Sequence, residues 1–139
     1  MKQKDKELLL KDLCARLPYG VKVESVFINL DTKEHQSCGI EVFNATSLLM
    51  IRDGLGEFKP YLFPISSMTE EQKEEYNQSR LKDLRMLNSV LMERISDENN
   101  FDRLVVAYNE IDWLNKNHFD YRGLIPMGLA IDATNKNIY

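Results

Sequence analysis

Val21-Lys22-Val23-Glu24-Ser25-Val26-Phe27-Ile28-Asn29-Leu30 decides the fold class, because its apolar residues recur at about every second position instead of every third or fourth. A period of two puts successive side chains on opposite faces of an extended chain, so this stretch reads as a strand. The alternation passes from Val21 and Val23 to Val26, Ile28 and Leu30, one residue out of step, which predicts a β-bulge in this strand near Glu24 and Ser25. Asp31 to Gln36 is a polar connection. Cys38, Ile40 and Val42 then resume the alternation as a second strand, expected to pair with the first as a hairpin. Asn44-Ala45-Thr46 reads as a short turn into a third strand at Leu48 to Ile51, and Asp53-Gly54-Leu55-Gly56 as a turn into a fourth from Phe58 to Phe63. Pro60 lacks an N–H and cannot serve ladders on both sides, so that last strand is expected to lie at an edge or end early. Together these segments predict a four-stranded antiparallel meander.

Helical spacing appears on both sides of it. Leu9, Leu10, Leu13, Cys14 and Leu17 define an apolar stripe, with Lys6, Glu7, Lys11, Asp12 and Arg16 on the remaining faces. Pro18 and Gly20 stop that helix near Leu17. Ser67-Met68-Thr69-Glu70 and Thr69-Glu70-Glu71-Gln72 are overlapping capping boxes, each offering a hydroxyl to free backbone donors and a Glu or Gln reaching back. A second helix therefore starts here, with Leu84, Leu87, Leu91 and Ile95 as its stripe. Its acidic residues come early and its basic residues late, the order the helix dipole favours. Leu104, Ala107, Tyr108, Ile111 and Leu114 define a third, expected to form a helical hairpin with the second against the sheet. The expected architecture is one α+β domain over residues 1–139, an antiparallel meander packed against an N-terminal helix and a C-terminal helical hairpin.

Length and charge agree with a single soluble domain. The chain has 139 residues, 43% hydrophobic and 29% charged, with a formal net charge of -4, which is ordinary globular usage and enough for one core without staples. Lys and Arg are interspersed with Asp and Glu, which suggests neither a basic nucleic-acid binder nor an acidic mimic of DNA. No stretch is apolar enough to cross a bilayer, and Lys11 and Asp12 end the leucine run at Leu8 to Leu10 too soon for a signal peptide. With two cysteines, Cys14 and Cys38, a reducing cytoplasmic setting is expected.

The tail Phe119 to Ile131 is too apolar for a free end and is expected to dock on the fold or on an oligomer interface. That tail with its lead-in Trp113-Leu114, the phrase Leu17-Pro18-Tyr19-Gly20-Val21 and the helix start Ser67-Met68-Thr69-Glu70-Glu71 resemble a group of small uncharacterised proteins from gut bacteria and their prophages or mobile elements. The resemblance spans most of the chain. It implies a phage-related or accessory role and carries no catalytic residue with it.

Chemistry-bearing residues are sparse. His35-Gln36-Ser37-Cys38 has the spacing of half a zinc site, but a closed site needs four convergent ligands, and Cys14 and His118 lie far off in sequence. Cys14, on the apolar face of its helix, reads as a small core residue. A Cys/His hydrolase would use Cys38 or Cys14 as thiolate and His118 as base, with Asp120 or Asp112 orienting His118; Asp120 reads more simply as the cap of a turn beginning at Tyr121. Glu110 with Asp112, or the run from Glu70 to Glu75, is the pattern of a solvated helix face. No phosphate-cradling glycine motif is present. Phe27, Phe43, Phe58, Tyr61 and Phe63 could stack on bases, yet Glu24, Glu41 and Glu57 offset the nearby Lys22, Arg52 and Lys59, and core packing accounts for most of these rings. The sequence therefore points to a non-enzymatic interaction module with no cofactor or metal, no nucleic acid and no membrane. It would recognise a protein partner or a second copy, with Phe119, Tyr121, Arg122 and Trp113 as the contact residues. The alternative is a small cytoplasmic hydrolase-like enzyme using Cys38, His35 and His118.

Overall fold

A computed structural model describes residues 2–93 and 109–139, and the surroundings of side chains in 2–81 and 109–139. The chain is α+β with a mixed sheet, and it divides into two compact units, Met1–Ile65 with His118–Tyr139, and Ser66–Asn117.

The first unit begins with helix α1 (Gln3–Arg16), which ends in a 3-10 turn at Leu17–Tyr19 and at Gly20, whose φ of 64° is the left-handed conformation that closes a helix. Its buried face differs from the one expected. Leu9 and Leu13 point inward, but so do Asp12 and Arg16, both at 0% exposure, while Leu10 and Cys14 are exposed. Cys14 is thus not a core residue.

Strands β1 (Lys22–Ile28) and β2 (His35–Val42) pair antiparallel, as the alternation predicts. The irregularity between them falls elsewhere than expected. Ser25 pairs with Gly39 and Val26 with Ser37, so the extra residue is Cys38 on β2, and β1 runs straight. Val21, just before β1, and Val23 and Ser25 within it are buried in alternation, so the step from Val23 to Val26 is a change of face. Gly39 takes φ 81°, a conformation costly for any side chain, and this is what lets β2 bulge there.

Leu48 to Ile51, expected as a strand, lies within helix α2 (Ala45–Arg52). Strand β3 (Gly56–Leu62) follows and pairs antiparallel with the other side of β1. Because β2 and β3 flank β1 and both run against it, they are parallel to each other. Parallel strands cannot be joined by a tight turn, so their link must cross a face of the sheet. Asn44 starts that crossover helix by accepting from the backbone of Thr46 and Ser47, while the Ser47 hydroxyl receives the Asn44 N–H. The sheet is completed by the tail: β4 (Ile131–Asp132) lies parallel to β3, giving the order β2-β1-β3-β4. The sheet is therefore mixed and not an antiparallel meander. β3 is also not an edge, although β4 pairs with Tyr61 and Leu62, just past Pro60.

One face of the sheet carries the core. Leu9 and Leu13 of α1, Val21, Val23 of β1, Phe43, Phe58 and Leu62, and Leu124, Leu129 and Ala130 of the tail form one buried cluster, with Leu48, Met50 and Ile51 of α2 packed against it. Phe43 meets Phe58 edge to face at 5.8 Å within this cluster, and Tyr61 is buried outside it. Phe27, at 37% exposure, is not buried.

The second unit is built on helix α3 (Glu70–Glu93). The Thr69 capping box forms: the Thr69 hydroxyl accepts from the Gln72 N–H at 3.2 Å and the Gln72 side chain accepts from the Thr69 N–H at 2.9 Å. Residues 109–116 are helical, and within this unit Tyr76 of α3 meets Trp113 at 5.7 Å between rings and donates to the Glu110 carboxylate. Burial, with that hydrogen bond, pushes the Tyr76 phenol up to about 12. Leu104, Ala107 and Tyr108 of the expected third helix, and the side chains of the second helix's stripe, lie outside the described residues. No helix among the described residues is long and apolar enough to cross a membrane.

Candidate functional site

Two features of the first unit stand out, a free sheet edge and a buried polar cluster. The first is the free edge of the sheet. Among the described residues β2 stands at one end of the strand order, and all eight of its residues are exposed. An edge strand presents alternate N–H and C=O groups with no partner strand, a template for pairing with another chain. Edges that must stay unpaired usually carry lysines, prolines or bulges; His35 to Val42 has no lysine or proline but carries the bulge at Cys38. Pairing of Lys22 with Val42 and of Glu24 with Ile40 puts these residues, with Val26 and Ile28, on the sheet face opposite the core. Ile40 is 54% and Val42 47% exposed, although both are β-branched residues of the kind strands usually pack.

The second feature is a polar cluster under the tail. Asp12 and Arg16 sit one helical turn apart on α1, and their side chains pair at 2.8 Å with neither exposed. Arg122 from the tail donates to the other Asp12 oxygen at 3.1 Å, and Arg16 also donates to the Phe119 carbonyl. The Tyr121 ring lies against both guanidiniums, 5.2 Å from Arg16 and 4.9 Å from Arg122. One carboxylate thus serves two cations. Buried charge of this kind fixes an arrangement more than it stabilises one, since desolvation offsets most of the attraction, yet removing one member strands the others at a cost of about 3–5 kcal/mol. Beside it, His118 adopts φ 63° and stacks on Tyr139 at 3.8 Å. Burial, with the positive charges of Arg16 and Lys22 nearby, pulls the His118 imidazole down to about 4, so it is neutral at physiological pH. The Tyr139 hydroxyl accepts from the Lys22 N–H and donates to the Tyr61 carbonyl, which closes the tail over the end of the sheet.

The residues expected to carry chemistry are dispersed. Cys38 and His35 are exposed on β2, where the Cys38 thiol contacts the Gln36 carbonyl at 3.7 Å. His118 is half-buried among Tyr139, Arg16 and Lys22, with its Nδ1 lacking a hydrogen-bond partner among the described residues. Both thiols are exposed, in contrast to the buried or half-buried cysteines expected. Among the described residues no three of His, Cys, Asp or Glu come together as a metal site. Asp120 caps the turn it precedes, each carboxylate oxygen accepting a backbone N–H at 2.9 Å, from Leu124 and from Ile125. Of the expected contact residues, Phe119 is buried at 1% exposure and bridges to Phe63, Tyr121 and Arg122 join the polar cluster, and Trp113 packs on Tyr76 in the second unit.

No family model, curated protein or solved structure matches this chain. The two features stand apart in the fold: β2 ends the strand order opposite β4, and the polar cluster lies between α1 and the tail. Sequence reasoning saw β2 as a strand but not as an edge, since strand order is not written in local periodicity. It also placed Asp12 and Arg16 on a solvated face. Their spacing of four is the same for a surface ion pair and a buried one, and the partner that distinguishes the two cases, Arg122, lies 110 residues away.

Proposed function

We propose that this chain is a non-enzymatic protein-interaction module and that β2 is the surface it offers. The observation that carries the reading is an eight-residue edge strand, exposed throughout, with Ile40 and Val42 bare on one face. Strand addition to such an edge draws affinity from main-chain hydrogen bonds and specificity from alternate side chains. Two exposed free thiols support a reducing, cytoplasmic setting. The resemblance of the tail and helix-start phrases to small proteins of gut bacteria and their prophages extends the proposal to an accessory role for a phage or mobile element. That His118 lies half-buried against Tyr139 while His35 and Cys38 are exposed on β2 weighs against the hydrolase alternative.

The test is a comparison of baits. The intact chain and its Ile40→Lys variant are each used for affinity purification from the native host under identical conditions. A protein retained by the first and lost by the second is the expected result. Identical partners for both, or a turnover activity abolished by Cys38→Ala, would overturn the assignment of β2.

A further inference from the structure

The bulge in β2 limits which strand can complete the edge. A straight strand laid against β2 meets the same problem as β1, which pairs Ser25 with Gly39 and Val26 with Ser37 and leaves Cys38 opposite nothing. An unmatched residue weakens a ladder, which is why bulges commonly protect edges. We infer that the partner fitted to this edge is a second copy of the chain, joined through β2 in antiparallel, two-fold symmetric pairing. The inference rests on the reading of β2 as the interaction surface and adds the identity of what binds there.

The register follows from which way the side chains face. His35 and Ser37 pair with Ile28 and Val26, and Ile40 and Val42 pair with Glu24 and Lys22, so all four share the face opposite the core. Gln36 and Glu41 pair with Phe27 and Val23 and share the other face. Residues directly opposite in an antiparallel ladder must share a face. Setting His35 of one copy opposite Val42 of the other, Gln36 opposite Glu41 and Ser37 opposite Ile40 meets that condition on both sides of the bulge. It brings Cys38 and Gly39 of each copy against Gly39 and Cys38 of the other, across the symmetry axis. Each copy's extra residue then lies opposite Gly39 of the other, and no residue of either strand is skipped.

The same register suits the side chains. Glu41 faces a Gln36 amide that can donate to it, and no carboxylate is set opposite another. Ile40 and Val42, both half exposed, are covered by the neighbouring strand. A closed, isologous contact of this kind also removes the free edge from both copies at once, so association stops at two.

Three measurements on the intact chain decide the matter. Sedimentation across a concentration series should show a monomer–dimer equilibrium, and Ile40→Lys, which places a charge at a site now facing solvent, should weaken it by at least about tenfold. Hydrogen exchange should show β2 amides protected in the dimer and unprotected in Ile40→Lys, with the rest of the exchange pattern unchanged, which shows that the variant folds. In the Cys14→Ser variant a short bis-maleimide should join two chains through Cys38, and in Cys38→Ser no such product should form although the dimer persists. A chain that stays monomeric at all concentrations overturns self-pairing, as does a dimer that ignores Ile40→Lys or fails to cross-link through Cys38. The wider reading of β2 is judged separately: a host protein captured by the wild type and lost by Ile40→Lys would preserve it when self-pairing fails.

Discussion

His118 shows how much one residue's surroundings can set. Its backbone takes a left-handed conformation, its ring lies flat on Tyr139, and its buried Nδ1 has no hydrogen-bond partner among the described residues. Burial first, then the charges of Arg16 and Lys22, hold its imidazole near 4, against 6.5 for a free one. Between those two values the unfolded chain takes up a proton that the folded chain refuses, so stability must fall as pH is lowered from 6.5 toward 4. The ring is partly exposed, which moderates the effect without changing its sign. Urea denaturation at a series of pH values should show a midpoint that declines over this range. His118→Asn tolerates the left-handed backbone and does not titrate, so its midpoint should be lower at neutral pH but flatter between pH 6.5 and 5. Equal slopes for the two proteins would assign the decline to carboxylates.

At the scale of elements, the Thr69 capping box is the clearest case of a structure legible in sequence. Both of its hydrogen bonds are local, and their donors and acceptors lie within four residues. Thr69→Ala should lower stability by about 1 kcal/mol, measured as a shift in denaturation midpoint with an unchanged slope. The Asp120 turn was legible for the same reason. What local pattern could not show is how strands are ordered. Leu48-Leu49-Met50-Ile51 is a short apolar run that fits a strand or a buried helix equally well. The signal that could have decided it was Asn44 with Ser47 ahead of the run, a capping box with a serine where a glutamate is usual. Once α2 is a helix, a meander is impossible, and β2 is left at the edge. The bulge was misassigned by a related ambiguity. A frame shift in the apolar pattern of one strand can mean an extra residue, or it can mean that the strand has two apolar faces, and β1 has Ser25 in the core position where a hydrophobic residue was expected.

At the scale of the whole molecule, the first unit is discontinuous, because Met1–Ile65 is completed by His118–Tyr139 from the other end of the sequence. The apolar content of the tail announced that it would be covered, but where it would dock depended on pairings made more than a hundred residues apart. Phe119, Leu124 and Leu129 are buried at 5% exposure or less, β4 extends the sheet, Phe119 supplies a carbonyl to Arg16, and Arg122 shares Asp12. Burial of three such side chains contributes about 5–9 kcal/mol, comparable with the whole stability of a small domain at about 5–15 kcal/mol. Loss of the tail would also leave Arg16 and Asp12 paired with each other but stripped of their other contacts, within a core opened to water. Truncation after Asn117 should therefore abolish cooperative unfolding of the first unit, seen as loss of the near-ultraviolet circular dichroism of its aromatic residues and as aggregation during gel filtration. Trypsin provides the milder form of the test. Arg122 is the basic residue of the tail held in the polar cluster, its side chain 20% exposed, whereas Lys136 lies in the exposed stretch near the end. Cleavage should begin after Lys136 and reach Arg122 only through unfolding, so that its rate falls in step with added stability. Rapid cleavage at Arg122 that leaves a soluble fragment with a wild-type melt would show that the first unit does not need its tail.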